Sequence, residues 1–449
     1  RRALSFYSFI GKIKKLIKSI ANLSLKKFVS ARGWIVIPLS ILVAIGISPL
    51  LFIYGIVQLV FISFRKLLII LKIKQFWDLL QIRRQASFSS IVDIFQFPRW
   101  LYNLMVEAEI ESLASRVSKE KEIDAWYFPY PRMSEIEKFK KPIIVAVPDI
   151  VYLDFPTIFS REDSELIHAH SGIEKTVRKA DAVITYSNYV KDKHVVEPGY
   201  QPEEKVHVIR HAPMETREFI TSQPQSTSSS IKFRSRLIIR SYIKRLASRI
   251  TSSNSLYLQS LPFGEFDYLF VSSQTRPHKN HLNLLKAYEI LLREKFINIK
   301  LIFTGSFSLE MQNYIVQKKL HLDVLSLSDL PPKVHTAFYA CAKLAIAPTL
   351  FEGGFPFIFS EALSVGTPVM MSDIPVVRET LPEVFRKEIC FDPYDINDMI
   401  SQIAWGIKNP DLLLKTEVIA YNQLKNRTWE QVADEYILAI MSTMKCNVS

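Results

Sequence analysis

From residue 123 onward the chain alternates short unbroken apolar runs with stretches whose apolar residues recur at helical spacing. PIIVAVPD (Pro142–Asp149), ADAVITYS (Ala180–Ser187), KVHVIR (Lys205–Arg210), DYLFVSS (Asp267–Ser273), Ile299–Gly305 and LAIA (Leu344–Ala347) have the length and composition of buried strands. Between them, His281–Arg293, the region near Gln312 and Phe359–Val365 read as helices. Such alternation predicts an α/β fold with doubly wound parallel sheets.

The pattern before residue 123 is different. Phe6, Ile10, Ile13, Leu16, Ile17 and Ile20 fall at near-helical spacing among Lys12, Lys14, Lys15 and Lys18. That describes a basic amphipathic helix on a membrane surface, with a core helix bearing a solvated lysine face as the alternative. Residues 33–64 then carry no charge at all, and Pro38 and Pro49 interrupt them. Since about 20 apolar residues cross a bilayer, this run is too long for one straight span and short for two. Basic residues flank both ends (Lys26, Lys27 and Arg32; Arg65, Lys66, Lys72 and Lys74), which suits a re-entrant or interfacial hairpin with both ends in the cytoplasm, or else one tilted span. Connecting helices are expected up to residue 122.

A second break separates two α/β halves. Thr221–Ser230 is rich in Ser, Thr, Gln and Pro and reads as a linker. Ile231–Ile250 contains seven basic residues and no acid, with Leu237, Ile239, Ile243, Leu246 and Ile250 at helical intervals. Lying on an anionic bilayer accounts for both the charge and the apolar stripe; nucleic acid would use only the charge, and no nucleic-acid motif is present. The division expected is therefore a membrane-associated region 1–122, an N-terminal Rossmann-like domain 123–220, a linker with a basic helix 221–260, and a C-terminal Rossmann-like domain 261–449.

Composition adds two constraints. Lysine and arginine outnumber the acids 57 to 44, a net +13 that fits anionic lipid or an anionic substrate. Cys341, Cys390 and Cys446 are too few and too scattered for a disulfide framework or a metal cluster, which suits a reducing compartment.

The candidate chemistry lies at PTLFEGGFPFIFSEALSVGTPV, residues Pro348 to Val369. A buried strand, a loop with Gly353, Gly354 and Pro356, and a helix start follow one another. Glycines let backbone N–H groups approach a ligand and a helix N-terminus attracts an anion, so a diphosphate fits there. Glu352 and Glu361 would repel phosphate unless they faced other groups such as sugar hydroxyls. A ligand with both parts is a nucleotide sugar.

The E-G-G-F-P and E-A-L-S-V-G-T-P-V segments resemble the donor motif of the retaining group 1 (family 4) glycosyltransferases, whose GT-B fold sets two Rossmann-like domains facing a cleft. The resemblance implies that Glu352 lies against the donor sugar, that amides around Gly353, Gly354 and Phe355 hold the phosphates, and that Glu361 binds the ribose, with Thr367 also on the donor side. The two glutamates are one residue further apart than in the family's usual pattern, so the loop from Phe355 to Ser360 is expected to bulge. HKN resembles the family's Lys-bearing turn, which makes Lys279 a contact for the diphosphate. An arginine common five positions earlier is Gln274 here, and Arg276 stands as the second cation. On the acceptor side the family's strand ending in His-Asp has Pro148 for the histidine, leaving Asp149 as a site residue or a turn cap. His211 either faces the interdomain cleft or is a turn histidine. A terminal helix from Thr428-Trp429 is expected to pack back toward the N-terminal domain. That domain is expected to be incomplete, since no strand with a glycine-rich turn opens it.

The expectation is a membrane-associated glycosyltransferase with its catalytic domains on the cytoplasmic face. It would transfer a sugar, with mannose favoured by the resemblance, with retention to a lipid-linked or cell-surface glycan. Its partners are a nucleotide sugar, the lipid-linked or polysaccharide acceptor and an anionic membrane surface, with no nucleic acid. No cofactor or metal is expected, because no Asp-x-Asp motif is seen. The alternatives are a non-catalytic GT-B glycan-binding scaffold, a nucleotide-sugar epimerase, or a hydrolase, which would want two acids on opposite sides of the bond.

Overall fold

A computed structural model describes residues 106, 109–117, 122–133, 136–159, 164–223, 226–249, 257, 260–263 and 265–446. The amphipathic segment at 6–20 and the apolar run at 33–64 lie outside them. Among the described residues no helix is long and apolar enough to cross a membrane.

The chain divides into two compact units, 1–123 with 134–140, and 124–133 with 141–449. In the first, residues 109–117 are helical and Ile136–Lys138 form a 3-10 turn, with Glu111 and Lys138 paired at 3.5 Å.

The second unit contains two parallel sheets. In the first sheet β1 (Trp126–Phe128), β2 (Ile143–Val147), β3 (Ala182–Thr185) and β4 (Val206–Val208) lie side by side in chain order. Parallel strands need a crossover, and between β2 and β3 it is helix α1 (Ser164–Lys179). The second sheet has β5 (Tyr268–Val271), β6 (Lys300–Phe303), β7 (Val324–Ser326), β8 (Leu344–Ala347), β9 (Val369–Ser372) and β10 (Cys390–Phe391) in the order β7-β6-β5-β8-β9-β10. Chain direction across the sheet reverses between β5 and β8. Ligands bind outside the carboxyl ends of strands at such a switch point.

Each expected strand run from PIIVAVPD to LAIA contains one of these strands. β5, β8 and β9 are buried at every position because helices cover both faces, which is why they are almost wholly apolar rather than alternating, Ser372 at the end of β9 being the exception.

The linker and basic stretch differ from the expectation. Helix α2 (Ser228–Arg249) begins inside the expected linker. It lies along α5 (Pro332–Cys341), and Ile231, Ile239 and Ile243 are buried in the main core. The apolar stripe expected to face a bilayer is therefore largely used for packing. Leu237 alone of its described members points outward, 51% exposed.

Further helices are α3 (His281–Arg293), α4 (Leu309–Gln317), α6 (Phe357–Ser364), α7 (Pro375–Thr380), α8 (Glu383–Ile389), α9 (Ile396–Lys408), α10 (Pro410–Leu424) and α11 (Trp429–Cys446). The SDIPVVRE segment leaves β9 at Ser372 and continues as α7, which Pro375 opens at a position where its missing N–H costs nothing. Helix α11 returns to the first sheet: Val432 and Ala439 are buried with Ile144, Ile184 and Ile209, and the rings of Tyr436 and Tyr127 meet edge to face at 5.7 Å.

Candidate active site

Two turns meet at the switch point of the second sheet. The first follows β5 and runs through Pro277–Lys279, ending at Asn280, which has φ 59°. Asparagine tolerates that left-handed backbone, and its Nδ2 donates to the Pro393 carbonyl at 2.9 Å. The second is the segment leaving β8, where Leu350 N–H donates to the His278 carbonyl at 2.8 Å and Thr349 Oγ1 donates to it at 3.3 Å. These bonds hold the two turns together. Lys279 from one and Glu352 from the other consequently form an ion pair, Nζ to Oε1 at 2.5 Å, with side chains 17% and 25% exposed.

His278 and His281 flank Lys279 and are buried. Burial, reinforced by the lysine charge, lowers both to a pKa of about 4. At neutral pH the turn therefore carries its positive charge on Lys279 and on exposed Arg276, whose guanidinium is 3.2 Å from Gln274 Oε1.

The glycine loop behind Glu352 lies against the first sheet. A side chain at Gly353 would place its Cβ 2.0 Å from the Pro148 carbonyl oxygen, and one at Gly354 would lie 3.1 Å from the His211 ring. Ser187 Oγ donates to the Gly353 carbonyl at 2.9 Å. α6 starts at Phe357 with no side-chain cap, so its first N–H groups are left for another acceptor. Of the loop from Phe355 to Ser360 that was expected to bulge, residues 357–360 are regular helix.

Glu361 sits further along α6 and does not join the Lys279 pair. Its Oε2 accepts a 2.9 Å bond from the Tyr339 hydroxyl, and burial raises its pKa, partly offset by that bond. Beside it, Ser272 Oγ is 2.6 Å from His335 Nε2. Thr367 is not at the glycine loop. It is 1% exposed and its hydroxyl donates to the Tyr339 carbonyl at 2.7 Å, fastening α5 to the start of β9.

Asp149 caps the turn after β2, its Oδ1 accepting from Val151 N–H at 3.3 Å. His211 stands among rings, with centroids 4.1 Å from Tyr186, 5.2 Å from Phe357 and 5.9 Å from Trp429. It lines a cavity of about 250 Å³ together with Phe355, Phe357, Arg210 and Glu379 from both halves of the unit, whereas neither Glu352 nor Lys279 does.

Several site residues escaped the motif reading. Asn280 follows Lys279 in a tight turn, which is a legible signal. Tyr339, Ser187 and Gly305 are placed by tertiary contacts and leave no local trace; a Cβ at Gly305 would sit 2.7 Å from the Ser273 carbonyl oxygen, so the turn after β5 closes over it. Among the described residues no group of three or more His, Cys, Asp or Glu side chains is arranged to hold a metal ion.

Residues 258–424, which contain all of these turns, match the family model for glycosyl transferases group 1. This part of the chain is similar to group 1 glycosyl transferases. Over 177 residues, 38% of the chain, the protein is 25% identical to the O-antigen chain mannosyltransferase B of Escherichia coli. It spans 45% of that relative's length, less than half. Among solved structures, sucrose-phosphate synthase from Thermosynechococcus elongatus superposes with a TM-score of 0.56 at 12% identity, over 76% of this chain and 79% of the other. The Anabaena protein HepE, determined with UDP and glucose, superposes with a TM-score of 0.54 at 14% identity, over 74% and 81%. The α/β fold with two parallel sheets around the group 1 domain thus resembles GT-B glycosyltransferases.

Proposed function

We propose that the protein is a glycosyltransferase that takes a sugar from a nucleotide-sugar donor to a lipid-linked or polysaccharide acceptor, with retention of configuration. The observation carrying this reading is the partly buried Lys279–Glu352 pair beside the uncapped start of α6, at the switch point of a Rossmann-type sheet. The pair's place at the ligand-binding end of the sheet, rather than on the open surface, is why the catalytic reading is preferred to a scaffold. The mannosyltransferase similarity and the resemblance both favour mannose as the sugar.

Sugar transfer needs the departing diphosphate stabilised and the charge growing at the anomeric carbon matched. On this reading Lys279, with Arg276 at the rim and the N–H groups around Gly353, Gly354 and Phe355, takes the diphosphate. Glu352 exchanges its lysine partner for the donor sugar and holds it in register with its carboxylate near the developing positive charge. Glu361, oriented by Tyr339, receives the ribose hydroxyls. Asp149 and His211 belong to the first sheet, proposed as the acceptor side. No metal is required in this scheme because the cations and amides already face the phosphates. Residues 33–64 are proposed to hold the protein at a membrane with the catalytic part on the cytoplasmic face.

The test is an incorporation assay. Membranes containing the full chain are given radiolabelled GDP-, UDP- and ADP-sugars, and label is followed into lipid-extractable and polysaccharide fractions. Label entering from one donor supports the reading; no incorporation from any donor, with the protein present and folded, contradicts it.

A further inference from the structure

Helix α2 has two faces, and packing uses only one. Ile231, Ile239 and Ile243 point into the core against α5, with Ser235 buried between them. On the opposite side Phe233 and Leu237, one turn apart, are 62% and 51% exposed. Large apolar residues so placed are not helping the fold. Lys232, Arg234, Arg236, Arg240, Lys244 and Arg245 surround them, all exposed, and the helix carries no acidic residue. Arg240 reaches Glu265 at 2.6 Å and Arg234 reaches Thr221 Oγ1 at 3.1 Å. Lys232, Arg236 and Lys244 have no ion pair among the described residues.

Helical geometry arranges these residues in a definite way. At about 100° per residue, Phe233, Leu237 and Lys244 lie along the outward ridge, Lys232 and Arg236 on one flank, and Arg234 and Arg245 on the other. An apolar ridge between two cationic flanks matches a bilayer interface, where acyl chains accept the ridge and lipid phosphates meet the flanks. A nucleic acid would satisfy the charge but leave Phe233 and Leu237 without a partner, and an acidic protein surface would do the same.

We propose that the outward face of α2 seats the group 1 domain on a membrane rich in anionic lipid, with Phe233 and Leu237 entering the interface and the flanking lysines and arginines binding headgroup phosphates. This deepens the membrane-associated reading above and assigns the contact to a face that the apolar segment at 33–64 does not contain. Docking through α2 would also restrain α5, the helix that carries Tyr339 to Glu361.

The test reads position, not activity, so its failure is separable from failure of the transferase reading. The full chain, with Cys341→Ala and Cys446→Ala, is reconstituted with vesicles and labelled with an environment-sensitive fluorophore through Leu237→Cys. A control carries the label through Val316→Cys, which is 72% exposed on α4. With phosphatidylglycerol vesicles bearing doxyl-labelled lipid, the probe at 237 is expected to shift to the blue and lose roughly half its intensity, while the probe at 316 does not. The quenching should vanish in Lys232→Glu/Arg236→Glu/Lys244→Glu protein, and at about 1 M salt, where screening is short-ranged. Equal quenching at 237 and 316, equal quenching in pure phosphatidylcholine, or shielding of 237 by an RNA oligonucleotide but not by vesicles would overturn the proposal.

Discussion

Gly353 and Pro148, from opposite sheets, touch so closely that a methyl group on Gly353 would sit 2.0 Å from the Pro148 carbonyl oxygen. The glycine loop can take its observed place only if residue 353 has no side chain. Gly353→Ala should therefore move the loop, and with it Glu352, away from the first sheet. A displacement of about 1 Å at a reacting centre costs on the order of 100-fold in rate. Sugar transfer is expected to fall by about that factor, and the backbone shift should also lower the melting temperature by the few degrees that about 1–3 kcal/mol of overpacking brings. Gly354→Ala, whose Cβ meets the His211 ring at 3.1 Å, should be milder.

Tyr339 and Glu361 supply a second test. Tyr339→Phe removes the hydroxyl that donates to the Glu361 carboxylate without changing the ring that packs on Phe270 and His335. The fold should hold, and the KM for the nucleotide sugar should rise about tenfold with kcat less affected, as expected when an interaction made equally in ground and transition states is lost. An unchanged KM would remove Glu361 from the donor site.

The histidines beside Lys279 set a pH dependence of stability. His278 and His281 titrate near 4 in the folded protein and near 6.5 when unfolded, because burial and the lysine disfavour their charged forms. A depressed histidine contributes stability that is present above pH 6.5 and is lost as pH falls toward 4. Each should cost about 2 kcal/mol between pH 7 and pH 5. Urea midpoints measured at those two pH values should diverge in the natural protein and diverge less in His281→Gln, which can still bond Ser273.

Glu417 on α10 works in the opposite direction. It is 0% exposed, its Oε1 accepts from Val369 N–H at 2.9 Å, and its Oε2 has no partner among the described residues. Complete burial raises its pKa well above 4.5, so the folded protein keeps a proton that the unfolded chain gives up. Its contribution is fully present below the unfolded pKa and is lost as pH rises toward the folded value. Glu417→Gln should therefore raise the melting temperature at pH 8, by roughly 2–4 °C for each kcal/mol relieved, with the gain fading toward pH 4.

Local pattern and tertiary placement were legible to different degrees in the sequence. The strands of the second sheet could be read because parallel strands covered on both faces must be apolar throughout, and LAIA before Pro348 is such a run. Lys279 and Glu352 were each readable in their own turns. What brings them together is a set of bonds from Leu350 and Thr349 to the His278 carbonyl, and no local spacing encodes that. Thr367 shows the limit from the other side, since its motif places it beside the donor while its hydroxyl is spent on Tyr339. In α2 the apolar and basic positions could be listed, but which isoleucines faced α5 depended on a partner helix about a hundred residues away.

Lys279 and Glu352 are proposed to form the nucleotide-sugar site of a transferase. The most direct measurement compares donor binding and turnover in the natural protein, Lys279→Ala and Glu352→Gln, using the full chain in membranes and calorimetry or filter binding alongside nucleoside diphosphate release. One nucleotide sugar should bind and be slowly turned over. Lys279→Ala should weaken its binding at least about tenfold, and Glu352→Gln should keep binding but lose about 100-fold or more in turnover. Binding and turnover unchanged in both variants, or no nucleotide sugar bound by the natural protein, would contradict it.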